Sequence, residues 1–516
     1  MENIILTIDF GTQSVRVSFF DKQGNCLAFE KENYQPPYFS PKPGFAEQDP
    51  DFYFQELCLA SKRLFAAHPE KKASIKGVVM SCFRDTAAML DENNKVVRPT
   101  ILWLDQRYAK CEKPLPPLSR LAFRLVGMSE VIRMNRKRTP ANWMKENEPE
   151  NWNKVAKYVG ISTYFIYRLT GNLKDCASAL TGHYPLDFKK RRWYKNPEKH
   201  LKGGIFSLKE GMLCDLVESG QELGCISAEA SALTGIPAGI PMFAAGSDKA
   251  CETLGNGVID ESMLSVSFGT ACTIETTSRR YVEPVKFLPA YPFALPGYYN
   301  TDLQIYRGYW MINWFLKEFA GQEVEDMVSD SAGDPSRYNE KLATIAPGSD
   351  GVMLQPFWGS QLDKPAVKGA IIGFSDVTTR EHVYRAIIEG IDYELRLAKE
   401  HFEQEFGHPF KEIRVAGGGA KSPQICQIAA DIFNLPVTRV QTTETSSLGA
   451  AMAGFLATKE YATPEEAVAH MVRPSETFYP NPDHVKVYDQ LFHNVYKKLY
   501  KQLKGSYEYL YHFTAR

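Results

Sequence analysis

The run Ile4-Ile5-Leu6-Thr7-Ile8-Asp9-Phe10-Gly11-Thr12-Gln13-Ser14 decides the fold, because its shape returns at Leu264-Ser265-Val266-Ser267-Phe268-Gly269-Thr270. In both places an apolar, strand-length segment ends in Phe-Gly-Thr and a second strand follows. After the first, Val15, Val17 and Phe19 alternate with Arg16 and Ser18; after the second comes Cys272–Glu275. Asp21–Asn25 is a turn and Cys26–Phe29 begins a third strand, so the chain opens as a strand meander with a tight, polar first turn. Three matching residues are a weak signal alone. Their shared strand–turn–strand setting predicts an internal duplication, with two related domains over 1–257 and 258–516 meeting close to Asn256–Asp260.

Length and composition agree with two large lobes. The chain has 516 residues, and single cores stop growing at roughly 250–300 residues. Hydrophobic residues are 44% and charged residues 23%, an ordinary globular composition. Lys+Arg is 60 against Asp+Glu 61, so no broad positive field exists to attract nucleic acid. The short basic runs Arg133–Arg138 and Lys189–Arg192 read as solvated faces. The N-terminus lacks the pattern of a signal peptide, and no stretch approaches 18 uninterrupted apolar residues, so no membrane partner is expected. The 10 cysteines are scattered, without Cys-x-x-Cys or zinc spacing, and read as free thiols of a cytoplasmic protein.

Further elements follow from periodicity and punctuation. Pro36–Pro50 is a loop, Phe52–Ala67 a helix, and Gly77–Ser81 and Ala87–Asp91 are strands. Gly239–Gly246 is an apolar run ending in Ser247-Asp248, with a helix from Lys249. Thr378 with Glu381 suits a capping box, and Val383, Ile387, Ile391 and Leu395 then line one helix face. Ile413–Ala416 is a strand followed by Gly417-Gly418-Gly419. Ser422 then serves as N-cap with Pro423 at the first helical position. From Pro474 the aromatic, basic sequence predicts an amphipathic helix on the second lobe.

The usual nucleotide fingerprints are absent. Gly11-Thr12 and Gly269-Thr270 instead each place a glycine and a hydroxyl in a tight turn that can aim N–H groups at phosphate, unless both are ordinary β-turns. Asp9 at the first strand's tip suits Mg²⁺ on a nucleotide; Ser267 occupies that place in the second copy. Asp248 is either a general base for an attacking hydroxyl or a helix N-cap. The three glycines either let a flat ligand such as adenine lie against the backbone or form a plain turn. Arg84-Asp85, with Trp103 and Asp105 in Ile101–Arg107, suits a polyhydroxylated ligand; a surface salt bridge and a core tryptophan are the competing reading.

Taken in order, these motifs resemble the FGGY family of carbohydrate kinases over essentially the whole length. The matching segments are Ile8–Thr12, Ala46-Glu47-Gln48-Asp49-Pro50, Ile101–Arg107, Gly246–Ala250, Ser267–Thr270, Gly369–Phe374 leading through His382 to Glu389, Gly417–Ser422 and Leu448–Ala451. The resemblance implies an α/β fold of two ribonuclease H-like domains, of the sugar kinase/actin/heat-shock ATPase type, around a cleft. It implies ATP- and Mg²⁺-dependent phosphorylation of a small sugar or polyol, such as a ketopentose. It makes Asp248 the general base and Asp9 the metal-associated aspartate. Gly11, Thr12, Gln13, Arg16, Gly269, Thr270, Asn313, Gly418, Gly419 and Pro423 fall to ATP, and Arg84, Asp85, Trp103 and Asp105 to the substrate. Dimers are common among similar kinases.

Three departures put the substrate in doubt. Lys249 follows the base where similar kinases carry Asn or Gln. The segment Gly359-Ser360-Gln361 stands where many members have Gly-Glu-Arg. Tyr306-Arg307-Gly308-Tyr309-Trp310 replaces a run of small residues. Two other classes of function remain: an actin-like or chaperone-type ATPase, which would not need Arg84, Asp85 and Trp103 near Asp248, and a sugar-binding regulator without catalysis, which would not need both Asp9 and Asp248.

Overall fold

The computed structural model describes residues 3–285, 288–319, 336–359, 364 and 366–514. The first of its two main sheets is ordered Glu222–Cys225, Pro241–Ser247, Ile75–Cys82, Ile4–Phe10, Ser14–Phe20, Cys26–Asn33. Its middle strands Ile4–Phe10, Ile75–Cys82 and Pro241–Ser247 are mutually parallel, and the flanking strands are antiparallel. The second sheet is ordered Tyr291–Pro292, Tyr299–Ile305, Cys272–Ser278, Met263–Phe268, Glu412–Ala416, Val437–Val440, Pro474–Phe478. From Tyr299–Ile305 onward it repeats the first strand for strand and orientation for orientation. The Phe-Gly-Thr recurrence thus marks a duplicated topology, the pair of ribonuclease H-like domains.

Parallel neighbours need long crossovers, and helices supply them. Pro50–Ala67 links Cys26–Asn33 to Ile75–Cys82; Arg380–Phe406 lies between Tyr299–Ile305 and Glu412–Ala416. With helices covering both faces, all seven residues of Ile4–Phe10 are buried, as a central parallel strand requires. The loop expected over Pro36–Pro50 also holds the short strand Glu47–Gln48, and Asp49 caps the helix from Pro50 by accepting the Asp51 N–H at 2.8 Å.

Two local expectations shift. The cap of Arg380–Phe406 is Thr379, not Thr378, and His382 rather than Glu381 closes the box: its Nδ1 accepts the Thr379 N–H at 3.1 Å. Thr378 is instead taken up by the preceding turn, where its hydroxyl accepts from Ser375 N–H at 2.9 Å. The stretch from Pro474 is not helical throughout. Pro474–Phe478 pairs with Val437–Val440 as an edge strand, and helices Pro482–Leu491 and Lys497–Thr514 follow.

Each domain has its own core, and a third cluster joins them, with Ile5, Val79 and Leu254 packed against Leu448, Met452 and Phe455. At its centre the helices Asp248–Gly255 and Thr445–Ala457 cross. Each follows the last parallel strand of its own sheet, so they are equivalents in the duplication. The crossing rests on two glycines: a Cβ on Gly255 would overlap the Thr445 carbonyl, and one on Gly449 the Cys251 carbonyl.

Candidate active site

A cleft of about 1120 Å³ lies between the domains. Thr12, Arg84, Asp85, Trp103, Asp105 and Asp248 line it from the first domain, and Gly269, Thr270 and Asp302 from the second. Three of these groups sit just past the ends of Ile4–Phe10, Pro241–Ser247 and Met263–Phe268, where open α/β sheets place their ligands. Asp9, Gly11, Gln13, Arg16, Asn313, Gly418, Gly419 and Pro423 lie off this lining.

Asp248 is not the helix N-cap. Ser247 is the N-cap, its Oγ accepting the Ala250 N–H at 3.3 Å, so Asp248 is the first helical residue and is released from capping. Its Oδ1 accepts the Lys249 N–H at 2.9 Å. Burial raises its pKa, while Lys249 and Arg84 pull it down. Lys249 reaches Glu252 Oε1 at 2.9 Å and donates to Ser267 Oγ at 3.0 Å. Burial works against its charge, but Glu252, Asp248 and Glu275 outweigh it and raise its pKa.

Asp9 is buried, and burial pushes its pKa up to about 6, although Arg16 stands 3.4 Å away. Arg16 also pairs with Glu444 of the second domain at 2.9 Å. The first turn is closed by Gly11 N–H donating to the Ser14 carbonyl at 2.9 Å. The second is held from outside: Tyr309 N–H donates to the Gly269 carbonyl at 3.0 Å, and Trp310 N–H to that of Thr270 at 3.3 Å. The unusual Tyr306–Trp310 segment is thus the clamp on this turn. Gly308 within it has no room for a side chain, because Cys272 fills the space.

The triple glycine is a packed turn. Gly417 has φ +85°, and a Cβ there would lie 2.8 Å from the Phe268 carbonyl; a Cβ on Gly419 would run into the Tyr309 ring. Gly418 alone faces open space. The turn therefore sits directly beside the second Gly-Thr turn. Asn313 is exposed on helix Trp310–Phe319, and Pro423 is exposed at the start of Pro423–Phe433.

On the substrate side, Arg84 and Asp85 are adjacent in sequence but do not pair with each other. Arg84 Nη2 donates to Asp302 Oδ2 at 2.6 Å, across the domains. Asp85, at φ +56°, accepts the His183 N–H at 2.9 Å and lies 2.8 Å from its Nδ1. Trp103 Nε1 donates to Thr12 Oγ1 at 3.0 Å, which ties the indole to the first Gly-Thr turn. Asp105 lines the cleft, and the protein itself engages its carboxylate. Its oxygens accept from Ala46 N–H (2.6 Å) and from Arg107 N–H, Nε and Nη2 (2.7–2.8 Å), and its side chain is 2% exposed. Arg107 in turn meets Glu47 at 2.7 Å. The Ala46–Pro50 and Ile101–Arg107 motifs therefore brace one another, leaving Trp103 to face the cleft.

Models of the FGGY family of carbohydrate kinases match residues 4–255 with the N-terminal domain and 264–458 with the C-terminal domain. The chain belongs to the FGGY family of carbohydrate kinases. Among relatives of this kinase, the xylulose kinase of Lactococcus lactis is 28% identical over 505 residues, 96% of each chain. The structure of a ligand-bound xylulose kinase from Lactobacillus acidophilus superposes with a TM-score of 0.82 at 22% identity, covering 98% of this chain and 100% of that one. A gluconate kinase from the same organism gives 0.81 at 21% identity, covering 99% and 100%. The chain is therefore a sugar phosphotransferase with ATP as the donor its family implies.

In this carbohydrate kinase, sequence reasoning passed over His183 and Asp302. His183 carried one signal, Gly182 before it: a Cβ there would overlap the Asp85 carboxylate. Asp302 carried none, since its meaning depends on the other domain. Ser360 and Gln361 of the altered segment lie outside the described residues. No helix among the described residues is long and apolar enough to cross a membrane. Trp103→Phe, which keeps the ring face and removes the bond to Thr12, should raise the acceptor KM about fivefold, the equivalent of about 1 kcal/mol. Steady-state kinetics with acceptor and ATP varied separately would check this; a rise confined to the ATP KM would contradict it.

Proposed function

We propose that this kinase transfers the γ-phosphoryl group of ATP, with Mg²⁺, to a hydroxyl of a small sugar or polyol, a ketopentose being the first class to test, and that Asp248 is the general base. The observation that carries the reading is the position of Asp248. It is uncapped, ionisable and set in a cleft between a phosphate turn from each domain and the Arg84–Trp103 wall. An ATPase without an acceptor has no use for that wall.

With Oδ1 bonded to Lys249 N–H, the second carboxylate oxygen of Asp248 is the one that takes the proton of the attacking hydroxyl. Lys249 and Arg84 favour its ionised form. Backbone N–H groups of the turns at Gly11-Thr12 and Gly269-Thr270, with Gln13 and Arg16, hold the phosphates. Gly418 offers a side-chain-free surface for adenine, with Gly419 packed behind it, and Asn313 and Pro423 are exposed to contribute to the same site. The hydroxyl's position follows from Trp103, Arg84 and Asp85. Holding both partners in place supplies the larger part of the acceleration.

Asp9 fits a divalent ion. It is a buried carboxylate whose one cation among the described residues, Arg16, stands at a long 3.4 Å and whose charge burial disfavours. Mg²⁺ binds through one or two carboxylates plus phosphates. Bound there, the ion would neutralise charge on the phosphate oxygens. Asp9→Asn should raise the Mg²⁺ concentration for half-maximal rate at least about tenfold. It should also weaken the Mg²⁺-dependent part of ADP stabilisation against heat. Unchanged Mg²⁺ dependence in both readouts would remove Asp9 from this role.

The experiment that tests the function measures ADP release with and without a panel of ketoses and polyols. Acceptor-stimulated release supports the kinase. Acceptor-independent release favours an actin-like or chaperone-type ATPase, and acceptor binding without release favours a regulator.

A further inference from the structure

One wall of the acceptor end comes from the second domain. Asp302 lies on Tyr299–Ile305 and accepts from Arg84 Nη2 at 2.6 Å, with Gln304 Oε1 of the same strand at 3.4 Å. The Arg84 guanidinium lies 5.6 Å from the centre of the Tyr291 ring. The side chains of Arg84 and Asp302 are only 15% and 6% exposed. A short, sheltered, charge-assisted bond of this kind is among the strong ones.

Two cations act on Asp248, and the protein has already matched both. Lys249 is held by Glu252 at 2.9 Å and Arg84 by Asp302. Glu275 stands directly across from Asp302 in the strand register. Thr253 donates to it at 2.7 Å, and its other oxygen has no hydrogen-bond partner among the described residues. Behind the Asp302 wall, therefore, stands a second, buried carboxylate. Other cations line the cleft as well: Arg107 meets Glu47 and Asp105 at 2.7 Å, Arg307 lies over the Trp310 ring at 5.0 Å, Arg138 is influenced by Tyr108, Tyr306 and Asp85, and Lys368 lies on the lining too.

We infer, resting on the kinase reading above, that Asp302 is a specificity-determining residue: by pairing with Arg84 it withholds that guanidinium from a carboxylated acceptor and reserves this end of the cleft for neutral polyols. An acceptor carboxylate at Arg84's remaining donors would meet a guanidinium already neutralised by Asp302 and would lie against that like charge, while displacing Asp302 would leave a sheltered protein carboxylate without its cation. Rejection built in this way, by a penalty against the wrong ligand, is a recognised route to selectivity. A neutral hydroxyl can share Arg84's remaining donors without breaking the pair.

The test compares acceptors matched in length and differing in charge, D-glucitol with D-gluconate and xylitol with D-xylonate. Binding is read by calorimetry and turnover by ADP release, in the wild type, in Asp302→Asn and in the double variant Arg84→Gln/Asp302→Asn. The wild type should favour the neutral member of each pair. Asp302→Asn should shift the ratio of dissociation constants toward the carboxylated member by about tenfold or more. The double variant, which leaves no unpaired charge, should lose that gain. If the single variant does not fold, the wild-type preference and the double variant still decide. A wild type that favours carboxylated acceptors, or a ratio unmoved by Asp302→Asn, would overturn the inference. Binding that shifts as stated without any phosphorylation would instead count against the kinase reading alone.

Discussion

Asp248→Asn should lower acceptor-dependent ADP release by about 10²–10⁴-fold, the usual contribution of a positioned base. Nucleotide should still protect the variant from heat. The substitution is isosteric, and the amide oxygen can still accept the Lys249 N–H that Oδ1 accepts now. The helix keeps its start because Ser247, not Asp248, caps it. What disappears is the capacity to take a proton. Steady-state rates together with thermal unfolding in the presence of ADP separate this from a folding defect. Turnover within about tenfold of wild type would remove Asp248 from the base role.

As the proposed base, the same carboxylate should set the pH profile. Burial raises the Asp248 pKa, and the base acts only when ionised, so kcat/KM should fall as pH drops through that raised value. Lys249→Met removes a cation that pulls the pKa down, so the acid limb should move to higher pH. Asp9, pushed to about 6 by burial, adds to the same limb. Saturating Mg²⁺ should carry Asp9's share to lower pH and leave that of Asp248 in place.

The fold was legible where local rules and duplication agreed. Phe-Gly-Thr at the ends of Ile4–Phe10 and Met263–Phe268 marks two copies of one sheet, because the same turn must leave the same central strand in each. The cap at Thr379 was misplaced by one residue because adjacent threonines offer the same chemistry, and only the turn at Ser375 decides between them. Asp248 and Trp103 could be singled out because each lies in a local motif, and both line the cleft. Asp105 lies in the same motif as Trp103, but that its carboxylate is engaged by Ala46 and Arg107 is visible only in the fold. Asp302 was illegible for a physical reason. A residue 218 positions from Arg84 acquires its role only when two domains meet.

Gly449→Val should cost both stability and turnover. Gly449 lies where helix Thr445–Ala457 meets helix Asp248–Gly255, and even a Cβ would overlap the Cys251 carbonyl. Backbone cannot swing aside as a side chain can, so the helices must separate. Overpacking of this kind costs roughly 1–3 kcal/mol and sometimes more. The unfolding midpoint should fall by several degrees, at about 2–4 °C per kcal/mol for domains of this size. The effect on catalysis follows from the same geometry. Asp248 is the first residue of the displaced helix, and Ser446 Oγ donates to its carbonyl at 3.3 Å from the opposing one. A shift of about 1 Å at the reacting groups can cost roughly 10²-fold in rate. kcat should therefore drop by about that factor at temperatures where the variant is fully folded. Gly505→Ala is the control: it sits in helix Lys497–Thr514 with nothing within 4 Å of the added methyl. Alanine there should leave kcat unchanged and stabilise slightly, by about 0.5–1 kcal/mol. If Gly449→Val matched that control in midpoint and rate, the crossing would not be what places the base.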